Sequence, residues 1–146
     1  MFNRILMVCV GNICRSPTAE ILLHETLPRP AYQISSAGIS ALVGKGIEPT
    51  AHAILQTKGH ATPEHHARQL SRDLLRSVDL VLTMEKRHVD HILRFAPEAR
   101  GKVFLLGKWQ KEREIDDPYR KGEAALQLAY KQILEGTLAW ATRIKP

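Results

Sequence analysis

The sequence is poor in aromatics, poor in cysteine and without long apolar runs, and each shortage removes a class of explanation. No stretch approaches the roughly 20 apolar residues that a membrane-spanning helix needs. The apolar run Ile5–Val10 is too short for a secretory h-region and passes directly into polar GNICR. A cytoplasmic protein with no membrane insertion is therefore expected, in a compartment that disfavours structural disulfides. The only cysteines are Cys9 and Cys14. They do not form a CxxC pair, and two thiols alone do not complete a zinc site.

Also missing is any dense basic run. Lysine and arginine outnumber aspartate and glutamate by 21 to 15, a formal net charge of +6, which favours anionic partners in general. The positive residues are scattered, however, and only two Trp, three Tyr and three Phe accompany them. Nucleic acid is not the expected partner. Repeats, low-complexity tracts and linkers are absent as well, and 146 residues suffice for one hydrophobic core. A single domain over residues 1–146 is the expectation.

What is present is an alternation. Four short, nearly continuous apolar runs read as strands buried on both faces: Arg4–Val10, Tyr32–Ser36, Leu80–Met84 and Val103–Leu106. Helical periodicity lies between them. Ser16 and Pro17 read as an N-cap and a first helical residue, followed by Ala19, Leu22, Leu23 and Leu27 on one face. Further helical patterns fall near Ala51–Lys58, Ser71–Arg76 and Lys86–Phe95, and the longest runs from about Glu123 to Arg143. Strands alternating with helices imply an α/β fold with a parallel sheet and helices on both faces. In such sheets ligands gather beyond the carboxyl ends of the strands, at a switch in strand order.

CVGNICRSP occupies that position after the first strand. Its backbone amides lead into a helix N-terminus, where unpaired N–H groups and the macrodipole favour an anion. Gly11 is expected to adopt a conformation that a larger residue resists, Asn12 to lock the loop, and Arg15 to offer a planar fork to two phosphate oxygens. The lysine of a GxxxxGK[ST] loop is missing, which excludes the common ATPase pattern. Cys9, at the strand end beside a helix terminus and an arginine, stands where thiols ionise below their ordinary range. A thiolate there can attack phosphorus in line and form a cysteinyl-phosphate, with Ser16 donating a hydrogen bond to it. Such chemistry needs a proton donor for the leaving group. EIDDPYRKG supplies Asp116 and Asp117, between which local reasoning does not choose, and Tyr119, which can pack on a substrate ring.

The combination of CVGNICRS near the N-terminus and a distant DPY resembles the low-molecular-weight protein tyrosine phosphatases, whose signature is C-x5-R-[ST] paired with D-P-aromatic. SSAGISALVGKG, HHARQL, DLVLTMEKRHVDHI and GKVFLLGKW are similar to the bacterial exopolysaccharide branch, the Wzb type. The resemblance covers essentially the whole chain. It implies a three-layer sandwich with a central four-stranded parallel sheet of flavodoxin-like order 2-1-3-4, no metal and no cofactor. It implies Cys9 as nucleophile, Arg15 as phosphate binder and Asp117 as general acid and then base. Val10, Gly11, Asn12, Ile13 and Cys14 would form the phosphate loop, supported by Ser16, Ser36 and His65, and Leu42 and Tyr119 would wall the cleft. The implied partner is a phosphotyrosine protein, the cytoplasmic tyrosine-rich tail of a membrane kinase that governs capsule or exopolysaccharide export.

Three rivals are weaker. A thiol-dependent arsenate reductase of this fold uses further downstream cysteines, and none follows Cys14. A phosphotyrosine-binding module with dead chemistry would lack Cys9, Arg15 or Asp117. A redox sensor is compatible with the phosphatase, since Cys9 and Cys14 are close enough in sequence for a protective disulfide. His88 and His91 are expected to be a solvated i, i+3 pair, His24, His52, His60 and His66 carry no assigned role, and Trp109 and Trp140 are expected to pack.

Overall fold

The computed structural model describes residues 2–146. Its strands are β1 Arg4–Cys9, β2 Gln33–Gly38, β3 Leu80–Thr83 and β4 Val103–Leu105, and its helices are α1 Arg15–Thr26, α2 Pro49–Thr57, α3 Arg72–Arg76, α4 Lys86–Phe95 and α5 Glu123–Ile144. All pairings are parallel, and the order is β2-β1-β3-β4. The expected architecture and strand order are those observed.

Period-2 alternation along β1 builds the two cores. Ile5, Met7 and Cys9 face one way, onto Leu22 and Leu23 of α1 and Ile133 and Trp140 of α5. Leu6 and Val8 face the other way, onto Leu75 of α3 and Ile92 of α4. Buried on both faces, the strand shows no polar alternation. The Trp140 indole N–H also donates to the Leu105 carbonyl, 3.2 Å away, pinning α5 to the sheet.

Two boundaries differ from expectation for identifiable reasons. β2 continues past Ser36 to Gly38 because Ser36, Ala37 and Gly38 pair with Met7, Val8 and Cys9. Sheet pairing overrides the weak strand preference of small residues there. α1 begins at Arg15 with Cys14 in the cap position, so Ser16 and Pro17 lie inside its first turn. Proline is tolerated there because first-turn N–H groups have no helical acceptor. The freed Ser16 hydroxyl turns toward Cys9 instead.

Gly38 shows how closely β2 approaches the β1 loop. A Cβ at this position would sit 2.4 Å from the Val10 carbonyl oxygen and 3.1 Å from the Asn12 Cβ. Gly38→Ala is accordingly expected to destabilise by about 1–3 kcal/mol, the usual range for overpacking. Urea denaturation of both proteins measures it; an unchanged midpoint would contradict the contact.

Candidate active site

β1 delivers Cys9 to the carboxyl edge of the sheet, beside the end of β3, and the chain turns through Val10–Cys14 into α1. The turn is stabilised by an unusual backbone: Asn12 holds φ at +59° and is fully buried. Asparagine enters the left-handed region more readily than most residues because its short side chain bonds locally. Gly11 keeps its φ outside that region, and a Cβ there would meet only ordinary contacts at 3.6 Å and beyond. The expectation that Gly11 carries the special conformation is thus corrected; Asn12 does.

The reason lies in what Asn12 holds. Its Oδ1 accepts the Arg68 backbone N–H at 2.9 Å, and its Nδ2 donates to Ser16 Oγ at 2.9 Å. Ser16 Oγ lies 2.8 Å from Cys9 Sγ. The serine oxygen accepts from Asn12, which leaves its single hydrogen able to bond the sulfur. The order Arg68→Asn12→Ser16 thus ends 2.8 Å from the Cys9 sulfur. His65 Nε2 donates to the Asn12 carbonyl at 2.6 Å. Ser36 reaches this network through its carbonyl, which accepts from Arg68 Nε at 2.9 Å, while its hydroxyl donates to Glu20, 2.7 Å away.

Arg15 is 1% exposed, yet it lines the cleft. Its Nη1 donates to Glu85 Oε2 at 2.6 Å and to the Ile115 carbonyl at 2.7 Å. Nη2 lies 3.8 Å from Asp117 Oδ2. The Tyr119 backbone N–H bonds Asp117 Oδ1 at 3.1 Å across Pro118, which aims the carboxylate. Asp117 lines the cleft and Asp116 does not. The backbone N–H groups from Gly11 to Arg15 have no protein acceptor among the described residues, so they form a nest for an anion. Cys9, Val10, Gly11, Ile13, Cys14, Arg15, Ser40, Leu42, Asp117 and Tyr119 enclose a cleft of about 200 Å³, with Leu42 and Tyr119 exposed at its mouth.

Sequence reasoning missed Glu85 and misread His88. Glu85 leaves the end of β3 next to the β1 loop, an adjacency that only strand order creates. Burial works against its charge, but hydrogen bonds from Arg15 and Arg87 outweigh it and hold the carboxyl below its ordinary range. His88 is not a solvated partner of exposed His91: it is 2% exposed, and burial, followed by the Arg15 charge, pushes it down to about 4. Burial first, then neighbouring Cys9 and Glu48, pushes Cys14 up to about 12. Cys14 faces Ala51, Ile54 and Leu126 as a neutral thiol, and both cysteines are free.

Residues 4–146 match the family model described as low molecular weight phosphotyrosine protein phosphatase. The chain belongs to that family. Within it, this phosphatase stands with the Wzb type. It is 50% identical over 141 residues to the low molecular weight protein-tyrosine-phosphatase Wzb of Salmonella typhimurium, covering 97% of this chain and 93% of that protein. Identity to the probable low molecular weight protein-tyrosine-phosphatase AmsI of Erwinia amylovora is 42% over 144 residues, covering 99% of each. The crystal structure of the tyrosine phosphatase Wzb from Escherichia coli K30, in complex with sulphate, superposes with a TM-score of 0.95 at 39% identity, covering 99% of this chain and 100% of that one.

Two outcomes follow from the burial of His88 and Cys14. Above pH 6.5 His88 is neutral whether folded or unfolded. Between pH 6.5 and about 4 the unfolded chain binds a proton that the folded one refuses, so stability falls as pH drops through that window. The loss from Glu85 begins only below its ordinary value of 4.5. The fall in urea midpoint between about pH 6.5 and 4.5 should therefore be smaller in His88→Asn than in the native protein; equal slopes would refute it. For the cysteines, iodoacetamide at neutral pH should spare Cys14 in peptide mass spectra, because the thiolate is the nucleophile and burial keeps this thiol neutral.

Proposed function

We propose that this phosphatase hydrolyses phosphotyrosine on proteins through a covalent cysteinyl-phosphate. The single observation that carries this reading is the hydrogen-bond chain ending on Cys9 Sγ beside a buried guanidinium whose Nη1 is already satisfied. That leaves the cleft side of Arg15, with the unpaired loop amides, for three non-bridging phosphoryl oxygens. Cys9 sulfur attacks phosphorus as the bond to the tyrosine oxygen breaks, and Asp117 passes its proton to the departing phenolate. Water then attacks the cysteinyl-phosphate, Asp117 takes a proton from it, and the P–S bond breaks to release phosphate and restore the thiolate. A sulphate-bound relative of the same fold supports a pocket suited to a tetrahedral dianion.

Substrate class follows from the mouth of the cleft. Leu42 and Tyr119 line the mouth as apolar and aromatic walls, surfaces on which a flat phenyl ring can pack. The proposed physiological substrate is the tyrosine-rich cytoplasmic tail of a membrane kinase controlling exopolysaccharide or capsule. The names of the Wzb and AmsI relatives, both protein-tyrosine-phosphatases, support a phosphotyrosine protein as the substrate class. The cytoplasm is the proposed compartment.

Native protein should hydrolyse p-nitrophenyl phosphate with chelator present and be inhibited by vanadate, while Cys9→Ser should have no turnover. Asp117→Ala should lose about 10²–10⁴-fold in kcat on phenyl phosphate, whose leaving group needs the proton, and less on p-nitrophenyl phosphate. If Asp116→Ala shows that pattern instead, the acid is misassigned. Capture of a phosphorylated kinase tail by Cys9→Ser from lysate tests the partner; capture that ignores phosphorylation would refute it.

A further inference from the structure

His88 is a buried titratable side chain that the reaction as proposed does not use. It sits on the first turn of α4, directly behind Glu85. Its Nδ1 accepts the Glu85 backbone N–H at 3.2 Å. A ring nitrogen that accepts carries no hydrogen, so the neutral imidazole holds its proton on Nε2. That Nε2 is buried, has no hydrogen-bond partner, and lies 3.5 Å from Glu85 Oε2. The same Oε2 is the oxygen that receives Arg15 Nη1 at 2.6 Å.

We propose that His88 is a positioning residue for phosphoryl binding, holding Glu85 by its backbone on one side and by its carboxylate on the other so that Arg15 keeps its fork on the substrate. The inference rests on the assignment of Arg15 as the phosphate ligand. Its physical basis is that Glu85 has two competing cations. Arg87 Nε takes Oε1 at 3.0 Å and Arg87 Nη2 reaches Oε2 at 3.3 Å, from an exposed position. That exposed side offers the carboxylate an alternative cation in Arg87. On the inner side, Nδ1 fixes where the Glu85 backbone sits, and the Nε2 edge, which carries the proton, stands 3.5 Å from Oε2 as a partial positive charge. Loss of either contact lets Glu85 follow Arg87 and releases Arg15 Nη1. Protonation would place a hydrogen on Nδ1 against the Glu85 N–H, two donors face to face, which agrees with the depressed titration of this ring.

Three readouts test it. Nitrogen-15 NMR of native protein at neutral pH should find the Nε2–H tautomer of His88; the Nδ1–H tautomer overturns the proposal without any variant. His88→Leu should weaken vanadate binding by about tenfold, the size of one hydrogen bond to a charged network. His88→Asn, whose Oδ1 can occupy the place of Nδ1, should recover most of that affinity, whereas His88→Gln, which reaches toward Nε2 and leaves the Glu85 N–H bare, should recover less. Titrations are made well below each variant's melting temperature. Should the leucine variant not fold, the Asn and Gln pair decides: equal vanadate affinities in the two, or native affinity in both, overturn the proposal. Native protein that fails to bind vanadate at all would sink the assignment of Arg15 instead, and the tautomer would still report on His88.

Discussion

The guanidinium of Arg15 is the constraint on which the rest of this structure depends. A cation held at 1% exposure is tolerable only with partners, and removing one partner from such a buried pair typically costs about 3–5 kcal/mol. Here Nη1 alone joins Glu85 from the end of β3 to Ile115 from the segment after β4, while the arginine itself opens α1. Three separately connected parts of the chain are thereby held at one nitrogen. Ile115 N–H returns the tie by donating to the Met84 carbonyl at 2.9 Å. The site and the carboxyl edge of the sheet are therefore stabilised by the same contacts.

Around that cation the chain arranges negative charge in graded positions. Glu85 lies behind it and stays ionised; Asp117 lies at the cleft, 3.8 Å from Nη2 and loosely placed. The difference suits the tasks proposed for them: a carboxylate that orients an arginine must stay ionised, while one that exchanges a proton must be free to approach substrate. Cys14 completes the contrast with Cys9. Both thiols border the cleft, but one is buried among Ala51, Ile54 and Leu126 and stays neutral, whereas the other lies 2.8 Å from the Ser16 hydroxyl. Position in the loop, five residues apart, sets one thiol in the packing of α2 against α5 and the other beside the Ser16 hydroxyl.

Much of this was readable in advance, and for a common reason. The β1 loop is local: Cys9, Asn12, Arg15 and Ser16 are close in sequence, so spacing alone predicts that they meet. The alternation of short apolar runs with helical patterns likewise announces a parallel sheet, because double-sided burial and amphipathic helices leave different periodicities. Errors arose where a distant segment decided. Ser36 carries no mark showing that its carbonyl, not its hydroxyl, would be used. HHARQL gives no sign that the Arg68 amide would lock Asn12. His88 looks like any surface histidine until α4 is docked on the sheet, with Ile92 in its core.

Sequence by itself determined the kind of chemistry: a thiol, a guanidinium and a carboxylate in a pattern suited to phosphoryl transfer, because covalent reactivity belongs to residue types and short spacings. Only the tertiary structure decided which carboxylate faces the cleft, which glutamate neutralises the arginine, and which residue bears the left-handed backbone. Those are questions of distance between segments up to 100 residues apart, as for Arg15 and Ile115, and such distances exist only once the parallel sheet has set its strands side by side.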